Sequence, residues 1–493
     1  MNLKHQQSRR LTDLSNIFGQ YGISLTKVIS LFIWLIFFCN LAYLSYYFPD
    51  IPTWKYGNIL KVNGFTILIW TTVTFFLGII NTYSDNYLRG FKFASKFKIL
   101  ALGFSLSVML LVMSNHILLL ILGWLLMGVF MARLIGVNSD WGEAQEASKQ
   151  TQKYFLSSTI SLGIGILILV SETNQVTLDG ILNDLTNIPK SKIIVSSVFV
   201  ILSALIQSAI YPFHRWLLSA MTSPTPASAL MHAGFVNGSG ILLAMFSSLI
   251  FSSSTLNLLF IVGGLTAIIA QFIKLTQVNI KQKLACSTSA QMGFMIMQCG
   301  LGFFNAAVAH LILHGFYKAY LFLSSGEEIE HSRPEEDIQI RIKPLQGFLV
   351  LLFGLLGALL FTQLTGKTET FDSSIFLTLV VAITVGQITY NIVKYRGITL
   401  FQKIVTPILL FSTGILLYAL MYNGITLIMA DMPFVNQPIP LSSIQVVFGI
   451  IFLVSFFIMK LGVYRRIPWL YVKLMNTSQP FKKTILMYKS QSL

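Results

Sequence analysis

One stretch of the chain, residues 207–240 (QSAIYPFHRWLLSAMTSPTPASALMHAGFVNGSG), sets prolines and a histidine among apolar residues. Pro212 interrupts one apolar segment, Pro224 and Pro226 close it, and His232 lies well inside the next segment. A proline within a helix frees a backbone carbonyl, which inside a membrane must be bonded by neighbouring groups or by water. An ionisable side chain at membrane depth costs roughly 2.5–3.5 kcal/mol on insertion scales, so it marks a functional site by default. The stretch therefore predicts a broken helix beside a polar pathway through a membrane.

The composition of the whole chain also indicates a membrane protein. Of 493 residues, 54% are hydrophobic and 11% are charged, whereas a soluble domain carries about 25% charged residues. We therefore predict an all-α polytopic membrane protein. The three cysteines, Cys39, Cys286 and Cys299, lie in apolar runs without disulfide or metal-ligand spacing, and we interpret them as small buried hydrophobic residues.

About fourteen segments are long and apolar enough to cross a membrane as helices. The two segments between 97 and 137 are separated only by Ser114 and Asn115, so that region also admits a different division. Together the segments form a predicted transmembrane domain over 24–464. The predicted spans are 24–48, 64–83, 97–113, 116–137, 154–171, 192–220, 226–251, 255–273, 282–300, 303–324, 344–364, 373–393, 400–423 and 441–464.

The formal net charge is +16, and the positions of the basic residues agree with a multi-pass topology. Lys and Arg concentrate in alternate loops, whereas the opposite loops, such as 171–191, are neutral or acidic. This asymmetry is typical of the positive-inside rule and does not indicate nucleic-acid binding. Residues 1–23 are too polar for a cleaved signal peptide. An even number of spans then places both this N-terminal segment and the basic tail 465–493 in the cytoplasm. We predict a multi-pass protein of a bacterial cell membrane.

One loop departs from this charge pattern. Residues 327–343 (EEIEHSRPEEDIQIRIK) carry six carboxylates. Two interpretations stay open, a solvated acidic loop or a docking surface for a soluble partner.

A second functional candidate is HLILHGFYKAYLFLSSG, residues 310–326. His310, His314 and Lys318 recur every four residues, which on a helix puts them on one face over roughly 12 Å of depth. Histidine has an ordinary pKa near 6.5, so both of its protonation states are accessible and protons can pass in short steps. A structural histidine explains one such residue but not three on one face. A metal site is the weaker interpretation, because no carboxylate or thiolate lies nearby in sequence.

A third candidate is NIKQKLACSTSAQMGFM, residues 279–295. Lys281 opens the segment and Ser287, Thr288 and Gln291 follow on the next turns. The lysine is either an anchor that reaches the membrane surface or the mouth of a wet passage lined by the hydroxyl groups, and the sequence leaves both interpretations open.

The three stretches together resemble the antiporter-like proton-translocating family, which includes the large membrane-arm subunits of respiratory complex I and the large subunit of Mrp-type antiporters. The resemblance covers residues 85–325 and fades afterwards. It implies inverted helical repeats with broken helices and a central series of lysines and histidines. The positions that match this series are His232, Lys281, His310, His314 and Lys318, with Lys281 at the entrance.

Two positions at which this chain departs from the family pattern are as informative as the matching positions. Pumping members carry a glutamate directly after the tryptophan that matches Trp124, where this chain has Leu125. They carry a lysine five residues before the proline of the broken helix, where this chain has Gln207. The resemblance thus implies that the first half-channel lacks its usual charge pair. A later broken helix with a central lysine is also not evident, and Lys367 looks peripheral.

Within the family, SPTPASALMHAGFVNGSGILL and FYKAYLFLSSG are most similar to the DabB branch, the membrane subunits of two-component inorganic-carbon transporters. This resemblance implies a large soluble, zinc-containing, DabA-like partner similar to carbonic anhydrase on the cytoplasmic side. Proton or sodium flow through the membrane subunit would then drive uptake of bicarbonate or carbon dioxide. No cofactor is implied for this chain.

Three functions follow from these patterns. The first is the ion-conducting subunit of such a carbon transporter. The second is a subunit of a respiratory NADH-quinone oxidoreductase or an Mrp-type cation/proton antiporter, which Leu125 and Gln207 weaken. The third is a non-conducting membrane anchor, which does not require the buried charge of residues 310–318. The sequence shows no nucleophile or nucleotide-binding loop in a credible context, so catalysis by this chain alone is not expected.

Overall fold

A computed structural model describes residues 25–325, 344–367, 372–393, 397, 399–460 and 462–485. Within these ranges the chain forms helices and one two-stranded hairpin, β1 (Trp54–Tyr56) and β2 (Leu60–Val62). The α-helices, numbered in chain order, are α1 (Leu25–Tyr47), α2 (Gly64–Tyr87), α3 (Ala94–Met113), α4 (Ile117–Ile135), α5 (Gly142–Thr173), α6 (Leu178–Asn183), α7 (Lys190–Gln207), α8 (Arg215–Ser219), α9 (Thr225–Ala233), α10 (Gly238–Met245), α11 (Ser247–Ser253), α12 (Leu256–Lys274), α13 (Ile280–Gly300), α14 (Phe304–Leu323), α15 (Pro344–Leu364), α16 (Ser374–Val393), α17 (Leu400–Ile428), α18 (Ser443–Lys460) and α19 (Pro468–Thr477).

The predicted all-α multi-pass fold is confirmed. Among the described residues, 12 helical segments are long and apolar enough to cross a membrane. The predicted number of fourteen is not confirmed. Of the two further predicted segments, α13 is a full-length helix whose lysines, hydroxyl groups and amides lower its hydropathy, and the apolar part of α18, Ser443–Met459, is shorter.

The two ends of the helix bundle carry different features. One end, called the hairpin face, carries β1, β2 and Asp179, and the opposite end, called the tail face, carries Lys281 and α19. At the hairpin face, Asp179 accepts hydrogen bonds from Lys55 at 2.9 Å and from Lys61 at 2.8 Å. Burial by itself raises the pKa of Asp179, but the two lysines outweigh it and hold that pKa below its ordinary value. These ion pairs tie the hairpin to α6.

The break predicted near Pro212 is present. Helix α7 ends at Gln207, Ala209 has a φ of 53°, and the chain resumes a helical course only at α8. The carbonyl of Ile206, freed at the end of α7, accepts a hydrogen bond of 2.9 Å from the Trp216 indole Nε1. A side chain from beyond the break thus provides the bond that the helix no longer makes.

A second interruption corrects the prediction of one continuous span over 226–251. The chain forms α9, a single 3₁₀ turn (Phe235–Asn237), α10 and α11 in succession. The freed carbonyl of Ala233 accepts a 2.7 Å hydrogen bond from the Asn237 amide. Ser208, at the first break, donates to the carbonyl of Val236 and lies 2.6 Å from the Ser239 hydroxyl. The two breaks are therefore adjacent, and the first supplies a donor to a backbone carbonyl of the second.

The prolines after the first break begin the next helix. Pro224 is the residue before α9, and Pro226 lies in its first turn, where a missing N–H removes no helical hydrogen bond.

Helices α12 and α13 pack backbone against backbone. A Cβ added at Gly263 would lie 2.5 Å from the carbonyl oxygen of Gly293, and one added at Gly300 would lie 2.3 Å from the backbone nitrogen of Phe260. Small residues allow such close approach in membranes, where dispersion contacts drive much of the association between helices. This packing fixes α13, the helix that carries Lys281 and Thr288.

The tail packs against the first break. His214 Nε2 lies 2.9 Å from the carbonyl oxygen of Thr477, and the backbone N–H of Phe481 donates to the Ser219 hydroxyl at 3.0 Å. The predicted N-terminal segment 1–23 and the acidic loop 327–343 lie outside the described residues. The cytoplasmic location of the tail 465–493 stays a prediction.

We expect Gly300→Ala to destabilise the protein, because the new methyl group meets backbone atoms that have no rotamer with which to move aside. Overpacking of this kind costs about 1–3 kcal/mol. Thermal unfolding of the detergent-solubilised chain should shift down by several degrees.

The matched control is Gly163→Ala in α5, where an added Cβ meets nothing within 4 Å. Its melting temperature should be equal to or slightly above that of the wild type. Equal melting temperatures for both variants would contradict the described packing of α12 on α13.

Candidate functional site

The candidate site begins at the tail face with Lys281, in the first turn of α13. Its ammonium group donates a hydrogen bond of 3.0 Å to the carbonyl oxygen of Ser223, immediately before α9. The Ser223 hydroxyl lies 2.9 Å from the Ser228 hydroxyl. Lys281 therefore connects the entrance of α13 to the segment between the first break and the helix that carries His232. Of the two interpretations left open by the sequence, this contact favours a residue that faces the protein interior.

His232 lies in α9 and is 0% exposed. Its ring stacks on Phe322 with centroids 4.3 Å apart, and its Nδ1 atom lies 2.9 Å from the Thr288 hydroxyl. That hydroxyl also donates to the Leu284 carbonyl at 3.0 Å. A hydroxyl group has a single proton, so the two bonds together assign the hydrogen of the neutral ring to Nδ1. Nε2 then carries a lone pair, and it has no hydrogen-bond partner in the protein.

Lys318 lies in α14 and is likewise 0% exposed. It donates one hydrogen bond, 3.2 Å long, to the same Leu284 carbonyl that accepts from Thr288. This carbonyl is thus the point at which the groups around His232 and Lys318 meet. His232 and Lys318 interact electrostatically through this buried region, as do His232 and Lys281.

His314 and His310 continue the series along α14. Their rings stack with centroids 5.9 Å apart and planes 25° apart, and His314 interacts electrostatically with Lys318 on its other side. The prediction that these three residues share one helix face is confirmed by these contacts. Within the described part of the chain, neither ring nitrogen of His314 has a hydrogen-bond partner, and neither does Nε2 of His310.

Unbonded buried polar groups are costly, by about 1–3 kcal/mol each. Four imidazole nitrogens, contributed by His232, His314 and His310, have no hydrogen-bond partner among the described residues, so they are atoms that water or a migrating proton would bond. The arrangement brings together all five residues predicted to lie on an ion path. Their roles in ion movement stay a proposal.

The two departed family positions lie apart from this series. Gln207, at the end of α7, is 1% exposed, and neither atom of its amide has a hydrogen-bond partner in the protein. Leu125 is partly exposed, whereas the adjacent Trp124 donates to the Ser158 hydroxyl at 3.0 Å, deep in the bundle. The first break therefore holds a neutral amide in a site where no protein group bonds it.

The structural roles of two residues at the site, Asn237 and Ser208, were not predicted from the sequence, although Asn237 belongs to the stretch that carries the resemblance. Asn237 donates to the carbonyls of Ala233 and Leu311, which joins the second break to α14, and Ser208 joins the two breaks to each other. A serine or asparagine within an apolar run is common, so no local pattern distinguishes these two. Within the described ranges, no group of three or more His, Cys, Asp or Glu residues is placed to hold a metal ion.

Comparison with known proteins identifies the family. The family described as NADH:quinone oxidoreductase/Mrp antiporter, TM, matches residues 114–393, more than half of the chain. The chain belongs to this family. The resemblance stated from the sequence is confirmed, and the matched range extends beyond residue 325, where the recognisable motifs end.

Several family members with curated names are similar in sequence. The probable inorganic carbon transporter subunit DabB of Bacillus subtilis is 36% identical over 253 residues, 51% of this chain and 50% of that protein. The subunit DabB1 of Halothiobacillus neapolitanus is 33% identical over 55% of this chain and 50% of that protein. NADH-quinone oxidoreductase subunit L of Rickettsia typhi is 32% identical over 59% of this chain and 46% of that protein. The matches span about half the length of these relatives.

Solved structures agree on the fold of the antiporter family. The Mrp complex from Dietzia sp. DQ12-45-1b has a chain that superposes with a TM-score of 0.63 at 19% identity, covering 90% of this chain and 55% of that one. A chain of the membrane-bound sulfane sulfur reductase, an archaeal respiratory membrane complex, superposes with a TM-score of 0.57 at 18% identity over 94% of each chain. The predicted antiporter-like architecture is therefore confirmed.

We expect Thr288→Val to destabilise the protein, because it leaves His232 Nδ1–H buried without an acceptor. An orphaned buried donor costs about 1–3 kcal/mol. The control is Thr266→Val in α12, where the buried hydroxyl bonds only to the Val262 carbonyl of its own helix. Thermal unfolding in detergent should show the larger downward shift for Thr288→Val. Equal shifts would refute the assigned His232–Thr288 bond.

Proposed function

We propose that this chain is the ion-conducting membrane subunit of a two-component inorganic-carbon uptake system. The observation that carries the proposal is the series of buried His232, Lys318 and His314 and half-buried His310, found in a chain whose curated relatives include subunits named DabB. Ions enter beside Lys281 and pass along α14 by way of the unbonded imidazole nitrogens. The two breaks keep polar backbone groups beside this route.

The first half of the chain supports a transporter of this kind over a redox pump. Gln207 and Leu125 stand where the family's pumping members carry a lysine and a glutamate, so the first half-channel has no charge pair to switch. Conduction then depends on the half that contains Lys318. The energy of ion flow is passed to a large soluble, zinc-containing partner on the cytoplasmic side, where carbon dioxide is converted to bicarbonate or bicarbonate is released.

The tail face is the docking side in this proposal. It carries the basic tail and the entrance at Lys281, and the positive-inside rule places it in the cytoplasm of a bacterial cell. The acidic residues 327–343, which follow α14 in the sequence, are the second candidate contact for the partner.

A second candidate function is a subunit of a respiratory or Mrp-type complex. Subunit L of Rickettsia felis matches 71% of this chain, whereas the DabB subunits match 51–59% of it, which favours this alternative. Leu125 and Gln207 weigh against it. A non-conducting membrane anchor, the third alternative, does not need the buried Lys318.

Growth of cells that lack carbonic anhydrase tests the proposal. We expect co-expression of this chain and its soluble partner to restore growth in air, and Lys318→Met to abolish it, because methionine keeps the volume of the side chain but cannot carry a proton or a charge. Carbon uptake measured with labelled bicarbonate should fall at least tenfold.

Lys153→Met is the matched control, because Lys153 is an exposed lysine of α5. It should leave growth and uptake unchanged. If Lys318→Met supported normal growth at normal membrane abundance, the anchor function would replace the conducting one. If the wild-type pair restored no growth but the chain co-purified with small membrane subunits, the respiratory or Mrp-type function would replace it.

A further inference from the structure

A polar cavity lies at the hairpin face, apart from the histidine series. Its volume is about 270 Å³, and its lining comes from separate parts of the chain: the hairpin, the start of α2, α6, the junction of α10 and α11, and the segment after α17. None of the five residues of the proposed ion path lines it. A water molecule occupies about 30 Å³ in the liquid, so the cavity can hold a small solute together with several waters.

One wall of the cavity carries an excess of positive charge. The ammonium groups of Lys55 and Lys61 lie 2.9 Å and 2.8 Å from the two oxygens of one carboxylate, that of Asp179. One carboxylate cannot neutralise two ammonium groups, so a positive charge is left over. Each ammonium has three N–H donors and uses one of them on Asp179, which leaves two on each lysine for a ligand.

A buried amide adds donors beside this wall. Asn115 is 6% exposed, and its side-chain oxygen accepts a hydrogen bond of 3.1 Å from the backbone N–H of Asp179. That bond identifies the other end of the amide as its nitrogen. Among the residues that the structure describes, Nδ2 of Asn115 has no hydrogen-bond partner. Because Asn115 lines the cavity, its two N–H groups are placed to bond a solute there.

The cavity also offers a carboxylate that neither lysine neutralises. Asp431 Oδ2 accepts a hydrogen bond of 2.8 Å from the Asn63 amide, and Asn63 is itself held by the backbone N–H of Thr66, which donates to it at 3.0 Å. Within the described ranges, no ion pair joins Asp431 to a lysine, and its Oδ1 atom has no partner. This oxygen is a fixed acceptor for a ligand that has a proton to donate.

These groups together favour an oxyanion that carries a single proton. The free donors, two on each lysine and two on Asn115, outnumber the free oxygen of Asp431. An amino acid zwitterion would bring an ammonium group with three donors of its own, for which the cavity has too few acceptors. An oxyanion without a proton, such as nitrate, has nothing to donate to Asp431 and is repelled by it. Bicarbonate has both the acceptor oxygens and the one hydroxyl.

The cavity also reaches the interrupted part of the bundle. Met245, at the end of α10, and Ser248, in the first turn of α11, both line it. The Ser247 hydroxyl donates a hydrogen bond of 2.8 Å to the carbonyl of Pro433, two residues beyond Asp431. A bound anion would therefore touch the same run of short helices that begins with α9.

We propose that this cavity is a capture site for bicarbonate at the hairpin face. The two unprotonated oxygens of the anion accept hydrogen bonds from Lys55, Lys61 and Asn115, and its hydroxyl donates to Asp431. The physiological role of the site rests on the function proposed above and extends it, because bicarbonate is then the carbon species bound on the side opposite the soluble partner. The ion stays partly hydrated in a cavity of this size, so we expect an affinity in the millimolar range.

Lys61→Met and Asp431→Asn test the site, with nitrate as the reference anion. Nitrate has the charge and planar shape of bicarbonate but no proton. We measure binding of sodium bicarbonate and of sodium nitrate to the full chain in lipid nanodiscs by titration calorimetry, at constant ionic strength and a mildly alkaline pH at which bicarbonate predominates. The wild type should bind bicarbonate more tightly than nitrate. Lys61→Met should lower the affinity for bicarbonate roughly tenfold or more, because it removes a charged donor.

Asp431→Asn should reverse the preference between the two anions. The new side chain keeps an oxygen for the Asn63 amide and presents N–H groups to the cavity, where they meet the bicarbonate hydroxyl unfavourably and a nitrate oxygen favourably. A residue with a purely structural role would weaken both anions alike.

The matched controls are Lys192→Met and Asp184→Asn. Lys192 pairs with Glu172, and Asp184 accepts from the Asn187 amide, but neither Lys192 nor Asp184 lines the cavity. Both variants should bind bicarbonate as the wild type does.

Equal wild-type affinities for bicarbonate and nitrate would overturn the proposal, as would an unchanged preference in Asp431→Asn. If Lys61→Met did not accumulate, Asp431→Asn, an isosteric change at an exposed residue, would decide the outcome. If the wild type bound no bicarbonate but Lys318→Met still abolished carbon uptake, the capture site would be refuted and the proposed function would stand. If the cavity variants lost bicarbonate binding while Lys318→Met took up carbon normally, the site would stand and the ion-conducting function would be refuted.

Discussion

A backbone carbonyl that loses its helical partner inside a membrane must find another donor, and this requirement governs the centre of the molecule. The carbonyl of Ile206 accepts from Trp216, and that of Ala233 accepts from Asn237. Ser208 donates to Val236 across the gap between the two breaks. Each freed carbonyl is therefore bonded from the far side of its own break, and Ser208 links the first break to the second. The pair places α9, and with it His232, against α13 and α14.

The proposed path uses the same chemistry with one difference. At the breaks the freed backbone carbonyls of Ile206 and Ala233 are bonded to protein, whereas along α14 the ring nitrogens of His314 and the Nε2 atom of His310 have no partner among the described residues. A polar group that is hydrogen-bonded to protein stabilises the fold, whereas an imidazole nitrogen without a protein partner can accept and release a proton. Bonded and unbonded groups meet at the Leu284 carbonyl. It accepts hydrogen bonds from Thr288 and Lys318, whereas Nε2 of the neighbouring His232 has no partner among the described residues.

Sequence patterns predicted what depends on local periodicity. The spacing of His310, His314 and Lys318 placed them on one face, and Pro212 located the first break, because both signals lie within one or two helical turns. The interruption at residues 234–237 was missed, since Gly234 and Asn237 look ordinary in an apolar run and the donor that stabilises it, Ser208, lies far away in sequence. Lys367 was set aside for the same reason. Its partners, Phe303 and Tyr422, are each more than fifty residues distant, and only the folded chain brings them to it.

The backbone contact between α12 and α13 has a consequence for how this molecule can move. Helices separated by a layer of side chains accommodate small displacements by changing rotamers, but at Gly263, Gly293 and Gly300 there is no such layer. The two helices are therefore expected to move together as one rigid body. The Leu284 carbonyl and Thr288, both on α13, then keep fixed positions within that body. A rearrangement that opened or closed the proposed route would then have to come from the elements that face these two helices, and the interrupted segment from α9 to α10 consists of short helices that could shift separately.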